Sequence, residues 1–135
     1  MSASLGSASA NGLCYAAGLL RVEFGYATVT EISELYRALA VACVQQQITR
    51  VLIVAGDDEP AGEHALRDAL TMVVLAGIPD GFRLALVPAL PRVAQTYGNT
   101  PRDFNAAGIK TRLFENEEEA VRWLDGGSEA TRRAA

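Results

Sequence analysis

Basic charge is scarce in this sequence and nowhere clustered. Lys110 is the only lysine, and sixteen acidic against twelve basic residues leave a net charge of −4. A nucleic-acid footprint needs Lys and Arg gathered on one face, so nucleic acid is excluded as the expected partner. Cysteine is limited to Cys14 and Cys43, with no C-x-x-C pair. A disulfide scaffold or a thiolate metal site would need more cysteines at tighter spacing. Both sit in apolar patterns and are expected as buried small hydrophobes in a reducing cytoplasm. No apolar run reaches the ~18 residues needed to span a bilayer, so membrane insertion is not expected. The longest run, Leu70 to Ile78, is expected as a buried helix. The sequence has no GxxxxGK[ST], no GxGxxG after a strand and no GxSxG. It therefore lacks the phosphate cradles and the nucleophile elbow that such strings build, and no cofactor is expected.

What is present is enough apolar material for one independent core. Half of the 135 residues are hydrophobic, which excludes disorder of the whole chain. Residues 1–12 and 126–135 lack apolar periodicity and are expected as flexible tails around a single domain over 13–125. Within that domain strand and helix patterns alternate. Leu13 to Ala17 and Leu19 to Tyr26 are β-prone runs broken at Gly18, which predicts a hairpin. Thr28 with Glu31 fits a capping box, and Ile32, Leu35, Tyr36, Leu39 and Cys43 form the stripe of a helix packed on a sheet. The aliphatic run Arg50 to Gly56 suits a central strand covered on both faces. A helix over about Pro60 to Ala76 follows, then a strand over Arg83 to Pro88. Pro91 begins one short helix, and Thr100 with Pro101 caps and begins another. Ile109 to Glu115 alternates apolar and charged residues, as a strand with one solvated face does. Asn116 caps a closing helix whose Glu117, Glu118 and Glu119 suit its positive end, with Trp123 as packing. The fold class is α/β, a mixed sheet of about five strands with helices packed on it.

The densest chemistry lies between Gly56 and His64. Asp57, Asp58, Glu59, Glu63 and the only histidine, His64, follow the carboxyl end of the central strand, the edge where open α/β sheets bind ligands. Carboxylates with an imidazole could hold a divalent metal or supply a general base. The same acids also suit the first turn of a helix for capping and dipole reasons. With no second histidine and no spaced ligand pair, no metal site or catalytic set is assigned. Tyr97 and Phe104 are further candidates: with the helix Leu66 to Leu75 they could wall a pocket for a small apolar ligand, roofed by Gly98 to Gly108.

Three segments together resemble one family. LLRVEFGYATVTEISELYRAL resembles the opening strand–Gly–x–x–Thr–helix of STAS domains, named for sulfate transporters and anti-sigma factor antagonists. RVLIVAG with the acidic loop and helix after it is similar to that fold's central strand and switch helix. IKTRLFENEEEAVRWL resembles the closing segment, F-x-x-x-x-E-A-x-x-W-L, of bacterial SpoIIAA-like (STAS/SEC14-type) proteins. The resemblance runs from Leu19 to Leu124. It implies a cytoplasmic, non-enzymatic regulatory module that binds a protein partner or a second copy of itself, or, in the SEC14-like branch, a small apolar ligand. The implied contact surface is the Gly56–His64 loop with the helix after it. One departure is clear: anti-sigma antagonists carry a phosphorylatable Ser or Thr at the start of that helix. Here Gly56 to Leu70 contains no hydroxyl residue, and Thr71 is the first.

Overall fold

The computed structural model describes residues 12–25, 28–56 and 60–126. Most of the segments expected as tails lie outside this range. Five strands and five helices follow one another in it: β1 (Gly12–Ala16), β2 (Leu19–Phe24), α1 (Val29–Gln46), β3 (Arg50–Ala55), α2 (Pro60–Ala76), β4 (Arg83–Pro88), α3 (Pro91–Thr96), α4 (Thr100–Ala106), β5 (Lys110–Leu113) and α5 (Glu117–Leu124). The strands lie side by side in chain order, β1 antiparallel to β2 and every later neighbour parallel. This is the expected mixed α/β sheet.

Local chemistry accounts for the turns and caps. Ala17 and Gly18 both have positive φ, 55° and 78°, as a two-residue turn between right-twisted strands requires. Thr28 and Glu31 form the expected capping box: the Glu31 N–H donates to Thr28 Oγ1 at 3.1 Å, and the Thr28 N–H donates to Glu31 Oε1 at 2.8 Å. The Asn116 side chain likewise accepts the Glu119 N–H at 2.9 Å. Thr100 is different from its expectation. Asn99 precedes α4 without a side-chain cap, and the Thr100 hydroxyl is used elsewhere, as described below.

The period-2 pattern of the strands sorts side chains onto two unequal faces. On one, Leu20, Val22, Phe24, Val51, Ile53, Leu84 and Leu86 meet the inner stripes of α1 and α2, together with Val93, Tyr97 and Phe104 from α3 and α4. On the other, Leu52, Ala85 and Val87 meet Ala120, Trp123 and Leu124 of α5. Among the described residues, four helices therefore cover one face and α5 alone covers part of the other.

Arginines fasten α5 at both ends. Arg21 donates from Nε to Glu117 Oε2 at 3.0 Å and from Nη2 to Oε1 at 2.8 Å, a forked geometry lysine could not reproduce. At the other end Arg83 donates to the Trp123 carbonyl and Arg50 pairs with Asp125, placing positive charge where the helix dipole favours it. Arg50 also donates to the Ala17 carbonyl at 2.6 Å, tying the hairpin turn to the same corner. The outer edge of β5 is closed by a side chain that imitates a strand. The Asn105 amide donates to the Thr111 carbonyl at 3.0 Å and accepts its N–H at 3.1 Å.

The two cysteines divide. Cys43 is buried as expected, but Cys14 is exposed. It lies on β1, an edge strand exposed along its whole length, so the alternation around it has no layer above to bury it. Burial pushes the Cys43 thiol up to about 12. Below pH 9 this thiol is protonated whether the chain is folded or unfolded; from there to 12 the unfolded chain ionises first, so its contribution to stability falls as pH rises. An aromatic disulfide reagent should react rapidly with one thiol in the native protein and with two after denaturation. Two rapid thiols in native protein would contradict this placement of Cys43.

Candidate functional site

The carboxyl ends of β2 and β3 come very close before the acidic loop. The Gly56 N–H donates to the Phe24 carbonyl at 2.8 Å, and a Cβ at Gly56 would lie 2.7 Å from that oxygen and 2.9 Å from Gly25 Cα. Both are backbone atoms, so only glycine fits without parting the strands. Asp57, Asp58 and Glu59 come next and lie outside the described residues. The strand order runs without reversal, so the crevice that a change of winding direction opens in other α/β sheets does not form here.

The remaining candidates are placed apart from one another. Glu63 turns inward and is 6% exposed. One of its oxygens, Oε2, accepts from the Thr100 hydroxyl at 2.6 Å and from Arg67 Nε at 2.6 Å. Arg67 continues to Asp103 at 2.8 Å, and its guanidinium holds the Asp103 carboxyl below the usual range. Glu63 thus joins α2 to α4, with its charge compensated by hydrogen bonds as a buried carboxylate needs. His64, one residue on, points to solvent and is exposed. Tyr97 and Phe104 are buried in the main core, and the Tyr97 hydroxyl shares a hydrogen bond with the buried Tyr36 hydroxyl at 3.0 Å. They are packing groups here, enclosed by protein. Among the described residues no three of His, Cys, Asp and Glu gather closely enough to hold a metal ion.

Two surface features gather residues that the sequence reading left apart. The first runs along the outside of α2. Leu66, Ala69, Leu70 and Val73 face the core, which leaves His64, Asp68, Met72 and Leu75 on the opposite, exposed side. Leu75 is 82% exposed and Met72 42%. Of the run Leu70 to Ile78, expected as a buried helix, only Leu70 and Val73 are buried and Ile78 partly so, because nearly continuous apolar residues cannot all face one way on a helix. That excess was the signal available in the sequence. Beside the stripe, Ser33 and Arg37 of α1 and Ala65, Asp68, Ala69 and Met72 of α2 line a groove of about 180 Å³. The second feature is a mostly apolar hollow of about 370 Å³ after the carboxyl ends of β4 and β5. Pro88, Leu90, Pro91, Ala94, Phe114 and Glu115 are among its walls.

Among the described residues no helix is long and apolar enough to cross a membrane. Comparison with protein-family models, with curated proteins and with solved structures finds no match to this chain.

Proposed function

We propose that this domain is a non-enzymatic regulatory module of STAS-like, SpoIIAA-like type that works in the cytoplasm by protein–protein contact, with the outer face of α2 as its contact surface. The observation that carries the reading is the exposed apolar side of that helix. Met72 and Leu75 face solvent on a helix that already has a full inner stripe in the core. Leaving such groups in water forfeits about 1.5–3 kcal/mol for each large side chain relative to burial, and clustered exposed hydrophobes mark interaction sites. His64 and Asp68 continue the same side toward the acidic loop, so the surface joins the region that the sequence singles out. The order and spacing of the STAS-like segments add support from resemblance.

Leu75→Glu tests this reading. The substitution leaves melting behaviour nearly unchanged, because the side chain touches solvent, and it abolishes capture of the partner from extracts of the native host. Alanine at Asp57, Asp58 and Glu59 weakens the same capture. Capture that is indifferent to Leu75→Glu removes this face from consideration.

A second reading has its own observation. The hollow beside Phe114 and Leu90 falls within the size range of small-molecule sites and has mostly apolar walls, as a carrier of a small apolar ligand would need. A panel of hydrophobes should then include one that raises Tm in the wild-type protein and not in Ala94→Trp. A panel that leaves Tm unmoved disposes of this reading.

A further inference from the structure

The groove between α1 and α2 carries opposite charges that do not meet. Arg37 stands on one wall and Asp68 on the other. Both are exposed, and among the described residues neither side chain takes part in an ion pair or hydrogen bond. The part-exposed Arg67 and Arg21, by contrast, pair with Asp103 and Glu117. Four residues after Arg37, α1 carries Val41, 36% exposed, and four residues after Asp68, α2 carries Met72. At four-residue spacing each pair lies on one side of its helix. Each helix therefore presents a charge followed one turn later by an apolar side chain, and the charges are of opposite sign.

That pattern is self-complementary. A two-fold axis running along the groove, parallel to the helices, lays α1 of one copy over α2 of the other. Arg37 then meets Asp68 of the partner subunit twice, once on each side of the axis, and Val41 meets Met72 of the partner subunit twice. Leu75 extends the apolar contact beyond them. An unrelated helix would have to match the same charge–apolar order on both ridges, whereas a second copy does so by symmetry. We propose that the partner seated on this face is a second copy of the chain, in an isologous dimer through α1 and α2. The proposal rests on the reading of this domain as a protein-contact module and names its partner.

Charge reversal provides the test, read as sedimentation mass over a range of concentrations. The wild-type chain gives the dimer mass. Arg37→Asp and Asp68→Arg each weaken dimerisation by about tenfold or more, because each sets like charges face to face at two symmetric points. Both side chains are exposed, so both variants keep wild-type circular dichroism and melting. Mixing the two variants restores the dimer mass as a heterodimer, since each supplies the charge the other lacks; the double variant dimerises alone. A monomeric wild-type chain overturns the proposal, as does a dimer that survives both single reversals or a mixture that fails to reassociate. If Leu75→Glu abolishes capture of a host protein while the wild-type chain sediments as a monomer, the contact-module reading stands and self-association falls. If neither capture nor dimer is found, both fall.

Discussion

Trp123→Ala lowers the stability of the domain by about 3–5 kcal/mol, the range for truncating a large aromatic in a closed core. The size of the effect follows from how little else holds α5 to the sheet. Its hydrophobic contact is a small cluster with Leu52, Ala85, Val87, Ala120 and Leu124, and Trp123 is its largest member at 2% exposure. The indole packs against Phe114 with ring centroids 5.4 Å apart and lies under the Arg83 guanidinium at 5.1 Å. Removing it takes away all of these partners and leaves Leu52 and Val87 facing a void. Trp123→Phe is expected to cost far less, about 1 kcal/mol. It keeps the aromatic contact and deletes an indole N–H that is buried without a partner among the described residues, a group that costs free energy where it stands. Chemical denaturation of the two variants checks both figures; a near-neutral Trp123→Ala would mean that the arginine ties alone secure α5.

Glu63→Ala is the second large effect, expected at about 2–4 kcal/mol. Breaking a buried charge pair costs about 3–5 kcal/mol, reduced here because Arg67 is about a third exposed and keeps Asp103 as a partner. The Thr100 hydroxyl, fully buried, loses the only acceptor it has among the described residues. Glu63→Gln retains an acceptor for Thr100 while losing the attraction to Arg67, and should cost about 1–2 kcal/mol. Thr100→Val combined with each variant gives the coupling between helices α2 and α4. The same pair of variants separates structure from binding. Partner capture that survives Glu63→Gln but fails in Leu75→Glu assigns Glu63 to the scaffold and the outer face of α2 to the contact.

What could be read from the sequence was whatever rests on near neighbours. The Thr28–Glu31 box and the Asn116 cap each need only four consecutive residues and formed where the spacing placed them; the hairpin broken at Gly18 also formed, with Ala17 in the turn rather than in the strand. The strands of the sheet centre were legible because burial on both faces demands continuous aliphatic residues, as in Arg50 to Ala55. The role of Glu63 was less legible than its side. Adjacent positions on a helix point about 100° apart, and the stripe Leu66, Leu70 and Val73 extends back to Glu63 rather than His64. A carboxylate on that stripe needs partners, however, and one of them, Thr100, lies 37 residues downstream. Cys14 was misread for a related reason: alternation signals a strand without telling whether a layer covers it. Tyr97 and Phe104 looked like pocket walls because they were expected near loop ends beside an aliphatic helix, yet the connection between β4 and β5 folds back and inserts both into the core.

The strands were laid down in sequence order, and this bears on how the molecule assembles as it is made. Each new strand joins the one synthesised just before it, so a growing chain can extend its sheet at one margin without waiting for distant partners, which keeps loop closure short. The helices α1 to α4 seal their side during that progress. The side that receives α5 has no such companion until the last described helix emerges. From the completion of β4 until α5 follows, Leu52, Ala85 and Val87 stand uncovered on a nearly finished sheet, the kind of transient apolar surface that draws chaperones or aggregates. A chain released after β5 but before Glu117 would therefore present a first layer that is complete and a second that has not begun.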